Sequence, residues 1–246
     1  MLNKKRILIM LILSLTALLL VTSLLTAEEE DLQTITPEEM GKLFINAGGA
    51  SIEFDPNSKS IYFSPVIRVE HKRGEIHLTS VEESSLFSFI SREEKEGKII
   101  VGTAASYSLI DVQAAGASVN GKAIAEKIRM SGAGMSIKGT AVTEEINISG
   151  AGIHYDGLIK SNKVSFSGAG MNIFARVEGV ENIDLSGLGI TASIRYLDGW
   201  EDERHLSISG LGCTLRVSIP SETEYKHDGQ LRINKEGVTE VNVHHY

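Results

Sequence analysis

The sequence predicts an all-β protein: a single-stranded β-solenoid with coils of about 18 residues, preceded by an N-terminal transmembrane or signal helix. Three observations carry that expectation. A Ser-Gly-x-Gly tetrapeptide recurs five times at a nearly constant interval, the residues flanking each copy alternate apolar and polar, and an apolar run behind three basic residues opens the chain.

That run, Ile7 to Ala27, holds no charged residue and follows Lys4, Lys5 and Arg6. As a helix rising about 1.5 Å per residue it spans roughly 30 Å, the thickness of a bilayer core. The basic flank predicts a cytoplasmic N-terminus and an extracytoplasmic remainder. Ala27 suits the last position before a signal-peptidase cut, whereas Leu25 fits the third-last position poorly, so an uncleaved anchor is favoured over a signal peptide. No cysteine precedes Cys213, which excludes a lipid-modified N-terminal cysteine, and a single cysteine excludes an internal disulfide.

Beyond Ala27 the charge balance shifts. The chain has 24 basic residues, and removing Lys4, Lys5 and Arg6 leaves 21 against all 32 acidic ones, a net charge of −11. That balance disfavours a nucleic-acid partner. The acidic "EEED" at Glu28 to Asp31, with "LQTITPEEM" after it, reads as a solvated stalk. The expected organisation is thus an anchor or signal segment over residues 1–27, a stalk over 28–41 and a β-solenoid over 42–246.

The tetrapeptides begin at Ser131, Ser149, Ser167, Ser186 and Ser209, at intervals of 18, 18, 19 and 23 residues. Aligned on them, Ile128/Met130, Ile146/Ile148, Val164/Phe166, Ile183/Leu185 and Leu206/Ile208 precede each copy. Met135/Ile137, Ile153/Tyr155, Met171/Ile173, Ile190/Ala192 and Cys213/Leu215 follow it. Alternation on each side is the period of a half-buried strand. Across the tetrapeptide the parity changes, from Met130 to Met135, which a continuous strand cannot do without turning apolar side chains into water. Glycines able to adopt φ > 0 are the usual device for such a bend. Gly132, Gly134, Gly150, Gly152, Gly168, Gly170, Gly187, Gly189, Gly210 and Gly212 are therefore predicted to be structural corners. An 18-residue path suits one flattened coil, and stacked coils share one core.

The pattern extends upstream. "DVQAAGASV" places Gly116 and Val119 in register with Gly134 and Ile137, and "LFINAGGASIEF" at Leu43 to Phe54 has the same shape. Between them "SIYFS", "VIRVE", "EIHLTS", "SLFSFI" and "KIIVG" read as short strands. After Pro220, "QLRIN" and "EVNVHH" read as a cap that covers the last coil and blunts its open edge.

The segment "INISGAGIHYDGLIKSNKVSFSGAGMNIFARV" resembles the β-strand-repeat putative adhesin family of bacteria, the head-GIN or toast-rack domains, whose coils are marked by a recurring S-G-x-G. "LFINAGGASIEF", "SIYFS", "VIRVE" and "GKIIVG" are similar to the first coils of those domains. The resemblance runs from Lys42 to the C-terminus and implies an exported β-solenoid with an adhesin-like role. The chain departs from the commoner S-G-x-G-D form by carrying Met or Ile after the tetrapeptide, so the resemblance implies no acidic column there.

Chemistry-bearing patterns are sparse. "GAGMSI" is not a phosphate loop, since no Lys-Ser/Thr follows and no helix is signalled. The outward columns Arg129, Asn147, Ser165, Asp184, Ser207 and Ser136, His154, Asn172, Thr191, Thr214 are small and polar, with no converging carboxylates, so no catalytic residue is assigned. His244 and His245 are neighbours on a strand and face opposite sides, which disfavours a shared metal. No metal or cofactor is expected. Cys213 shares the column of Met135, Ile153, Met171 and Ile190 and is read as an inert core thiol. The longest interval holds "YLDGWEDERH", Tyr196 to His205, with the only tryptophan, so Trp200 marks a candidate binding loop, unless the indole folds back over a lateral face of the solenoid.

These readings favour a non-catalytic, membrane-anchored extracytoplasmic interaction or scaffold module. Its expected partners are the cell membrane, an envelope polymer or another envelope protein. A polysaccharide-active solenoid enzyme and a regulator of an envelope-stress sensor are the alternatives. The first alternative requires two carboxylates converging on one face; the second differs from the module only in its partner.

Overall fold

Hydrogen bonding follows the sequence repeat. The computed structural model describes residues 32–36, 41–80, 97–104, 106–220 and 231–246, which form 19 β-strands in one hydrogen-bonded system, with no helix among them. The apolar N-terminal run and "SLFSFI" lie outside the described residues.

The regular part begins with β8 (Leu109–Ala115) and β9 (Ser118–Ile124), then β10 (Lys127–Ala133) and β11 (Ser136–Val142), β12 (Glu145–Ala151) and β13 (His154–Lys160), and β14 (Lys163–Ala169) and β15 (Asn172–Glu178). Each of these strands has seven residues, and two-residue connections between them complete the 18-residue period. The series continues with β16 (Asn182–Leu188), β17 (Thr191–Tyr196), β18 (Arg204–Ile219) and β19 (Leu231–His245).

Two parallel ladders result. In the first, β8, β10, β12, β14, β16 and the start of β18 pair in order, so Ile128 meets Ile146, Val164 follows it and Ile183 comes next. In the second, β9, β11, β13, β15, β17 and the end of β18 do the same. Alternation decides the faces. Met130, Ile148, Phe166 and Leu185 from the first ladder and Ile137, Tyr155, Ile173 and Ala192 from the second are buried in one core, which no single repeat could enclose. The rings of Tyr155 and Phe166 meet edge to face at 5.4 Å across it.

Spatial order departs from chain order in the N-terminal repeats. There lie β1 (Gln33–Ile35), β2 (Lys42–Asn46), β3 (Ser51–Asp55), β4 (Ile61–Phe63), β5 (Ile67–Lys72), β6 (Glu75–Ser80) and β7 (Lys98–Gly102). Strand β2 pairs parallel with both β6 and β8, and β3 with both β7 and β9. The first repeat is therefore enclosed between the second and the third. Antiparallel strands finish this end, β5 on β6 and β4 on β7, with β1 on β4. The stalk expected over residues 28–41 accordingly gives up Gln33 to Ile35, whose backbone groups pair with Ile61 to Phe63.

At the other end, Leu231 to Asn234 of "QLRIN" and all of "EVNVHH" belong to one strand, β19, which pairs parallel with β18 along both ladders and turns at Gly237; Gln230 lies outside the described residues. Strand β19 extends the stack by one rung, and among the described residues no strand pairs with its outer edge.

The repeated glycines divide into two kinds. Gly132, Gly150, Gly168, Gly187 and Gly210 lie within strands, in mutual register, with φ between 136° and 157°. Gly134, Gly152, Gly170, Gly189 and Gly212 lie between the ladders at φ of 61° to 66°. The first kind keeps its ladder pairing in a mirror-extended conformation that shifts the pleat; the second makes the turn. Together they let Met130 and Met135 both point inward.

Candidate functional site

The outward face of the second ladder is defined by register. Three strands supply a grid of side chains: His154, Asp156 and Leu158 from β13, Asn172, Phe174 and Arg176 from β15, and Thr191, Ser193 and Arg195 from β17. Phe174 stands at its centre, 45% exposed. An aromatic side chain of that exposure on a flat sheet leaves a large apolar face in water. Its neighbour His154 meets it edge-on, with ring centroids 5.9 Å apart.

Three arginines share this face with Phe174. Arg176 is two residues along β15, Arg195 is in register with Arg176 on β17, and Arg216 on β18 continues the column Asp156, Phe174, Ser193. All three are exposed. Strands lie about 4.8 Å apart and alternate residues about 7 Å apart along a strand, so the group fits within one patch. Among the described residues none of the three forms an ion pair with a carboxylate. Arg195 lies 4.0 Å from the centroid of the Tyr246 ring, and the Tyr246 hydroxyl donates to the Tyr196 carbonyl at 2.7 Å. That pairing orients the guanidinium while leaving its N–H donors available. The acidic groups on this face include Glu53, in the same column through Asn120 and Lys138, Asp156, Glu178, which pairs with Lys160, and Glu240 near the end of the stack.

The first ladder presents a different surface. Lys127 pairs with Glu145, whose other oxygen accepts from Asn147 at 2.9 Å, and Lys163 follows in the same column. Lys127 and then Asn147 hold the Glu145 carboxyl below its ordinary pKa by hydrogen bonding. The corner between the ladders is apolar, running through Ala133, Ala151 and Ala169 to Leu188 and Leu211, which are 56% and 68% exposed.

The remaining sequence-predicted positions are placed as follows. Trp200 is only 5% exposed and does not form an exposed binding loop. Its ring packs 5.1 Å from that of Tyr196, with the Arg204 guanidinium 5.7 Å away. Asp198 accepts from the Gly179 backbone N–H at 2.8 Å and Arg204 donates to the Val180 carbonyl, so the insertion is clamped onto the preceding connection. Burying an indole gains more than presenting it to water, so of the two readings the sequence allows for Trp200 the fold-back is the one adopted. Cys213 is fully buried, with its thiol 3.5 Å from the Gly187 carbonyl. His244 and His245 pair with Ser218 and Ile219 respectively, and no group of three potential metal ligands occurs among the described residues.

Both outward columns read from sequence, Arg129 to Ser207 and Ser136 to Thr214, stand on the ladder surfaces. The columns that carry Phe174 and the arginines lie farther from the tetrapeptides, so the residues that flank each copy do not reveal them. Extending the alignment through the full seven-residue strand brings Asp156, Phe174, Ser193 and Arg216 into line.

No family model matches the chain, and no curated protein matches it. Among solved structures, a putative adhesin from Bacteroides fragilis is similar over 89% of this chain and 98% of its own, at 13% identity and a TM-score of 0.56. A putative adhesin from Parabacteroides distasonis covers 87% of this chain and 96% of its own, at 10% identity and a TM-score of 0.43. A putative cell adhesion protein from Clostridium sporogenes covers 88% and 99%, at 14% identity and a TM-score of 0.34. The chain is thus similar in fold to the Bacteroides fragilis putative adhesin.

Proposed function

We propose that the protein is a non-catalytic interaction module: a β-solenoid held outside the cytoplasm by the apolar segment Ile7 to Ala27, which presents the outward face of its second ladder to an envelope component. The observation that carries this reading is the exposed Phe174 with Arg176, Arg195 and Arg216 on the same face of a regularly paired sheet. Binding groups on paired strands are fixed in spacing, and an exposed aromatic with arginines on its face has the composition of a recognition surface. The name borne by the Bacteroides fragilis protein of similar fold, a putative adhesin, points in the same direction. The apolar segment and its basic flank support the anchored topology.

Two measurements test the proposal. Cells producing the full chain are fractionated, and protease is added outside before lysis; the expected result is a membrane-bound protein whose domain is digested from outside. A soluble, protected cytoplasmic product overturns it. In the second, the detergent-purified full chain is sedimented with isolated cell envelopes, and co-sedimentation that is reduced at least tenfold by Phe174→Ala is expected. Equal sedimentation of the variant overturns the assignment of this face.

A further inference from the structure

The second-ladder face also specifies the chemistry of what it takes. We propose that it binds an acidic polysaccharide, the ring of Phe174 receiving the apolar face of one sugar and Arg176, Arg195 and Arg216 receiving carboxylates on that sugar and its neighbours. This inference rests on the interaction-module reading and names its ligand class.

Charge complementarity is the first argument. Beyond Ala27 the chain is strongly acidic, yet three arginines gather on this face and find no carboxylate partner among the described residues. Lys138 is in register with Asp156, the carboxylate that precedes Phe174 in the column. Cations without an ion-pair partner among the described residues, on a chain that is otherwise acidic, favour an anionic ligand at this face. Guanidinium groups are suited to carboxylates because the planar fork meets both oxygens.

The second argument separates a glycan from an acidic peptide. A peptide recognised by charge alone needs no aromatic platform. Here the centre of the patch is an exposed phenyl ring, edged by His154 and flanked by the short polar groups Asn172, Thr191 and Ser193. Those groups are short and can exchange hydrogen bonds with hydroxyls. The surface is also flat, since it is one side of a sheet, and a polymer crossing it meets Phe174, Ser193 and Arg216 in a straight column.

The test uses the full chain in detergent and four defined polymers: polygalacturonate, dextran sulfate, neutral dextran and poly-glutamate. Polygalacturonate is expected to bind, neutral dextran not to bind, and added salt to weaken the complex. Phe174→Ala should weaken polygalacturonate binding at least tenfold, with Phe174→Tyr restoring it. The pair Arg176→Ala/Arg216→Ala should weaken it similarly, and Arg129→Ala on the opposite face should not. Because these side chains are exposed, melting temperatures should match the wild type, which separates lost binding from lost folding. Dextran sulfate binding as tightly as polygalacturonate would assign the arginines to sulfate as well and overturn the carboxylate assignment. Equal binding of poly-glutamate, insensitive to Phe174→Ala, overturns the glycan in favour of an acidic protein. If envelopes sediment the protein while no defined polyanion binds, this inference fails and the interaction module stands; if neither binds, both fail.

Discussion

A β-carbon built on Gly150 would lie 1.8 Å from the carbonyl oxygen of Gly132, one repeat away. The two residues are paired in register, and the same approach recurs from Gly168 to Gly150 and from Gly187 to Gly168. The first glycine of each tetrapeptide is therefore required for backbone proximity as well as for its φ. At Gly152 the φ is +63° but no atom lies closer than 3.8 Å, so only the conformation is demanding.

Substitutions at the two positions should consequently differ. Gly150→Ala is expected to destabilise by at least about 3 kcal/mol, since stacked backbones must separate and φ is unfavourable. Gly152→Ala should cost about 1–2 kcal/mol, and Gly152→Asn less, because Asn tolerates the left-handed region. Chemical denaturation of the three variants checks the order; equal losses at both positions would show that proximity is not limiting.

Trp200 gives a single-residue spectroscopic test of the clamped insertion. With the ring buried against Tyr196 and Arg204, native fluorescence should be blue-shifted and poorly quenched by acrylamide. Trp200→Ala should destabilise by about 3–5 kcal/mol through the cavity it leaves. A red-shifted, freely quenched native spectrum contradicts the packing described here.

The Lys127–Glu145 pair predicts a modest acid sensitivity. Hydrogen bonding from Lys127, and then from Asn147, lowers the Glu145 pKa in the folded state. A carboxylate with a depressed folded pKa contributes stability above its unfolded pKa and loses it as pH falls through the folded value. The melting temperature of the wild type should exceed that of Glu145→Gln at pH 7, by an amount corresponding to about 1 kcal/mol or less for a partly exposed pair. The difference should vanish in strong acid. A difference that persists undiminished at pH 2 would assign the effect to something other than ionisation.

Cys213 should report global opening. Its thiol is buried in the core column beneath the last corner, so a thiol reagent should label it only as fast as that region opens. Labelling of the native protein at the rate of a free thiol would place Cys213 at the surface instead.

How far the sequence reached follows from which interactions are local. The alternation around each Ser-Gly-x-Gly fixes which side chains face inward, because a strand's two faces differ by one residue; hence Ile128, Ile146, Val164 and Ile183 form one buried column as the period requires. The interval of 23 residues located the insertion for the same reason, since extra chain cannot enter a ladder already in register. Where non-neighbouring strands meet is a different matter. Nothing in the alternation of β2 and β3 says that they lie between β6–β7 and β8–β9, because parallel pairing satisfies their backbone equally in chain order. The inward turn of Trp200 and the meeting of Phe174 with Arg195 and Arg216 are likewise decided by contacts between residues 18 or more positions apart or by packing against a neighbouring connection, whereas Arg176 joins the face of Phe174 by strand alternation alone. Period and parity determine which face each residue joins; only the assembled ladders determine which residues stand beside one another on it.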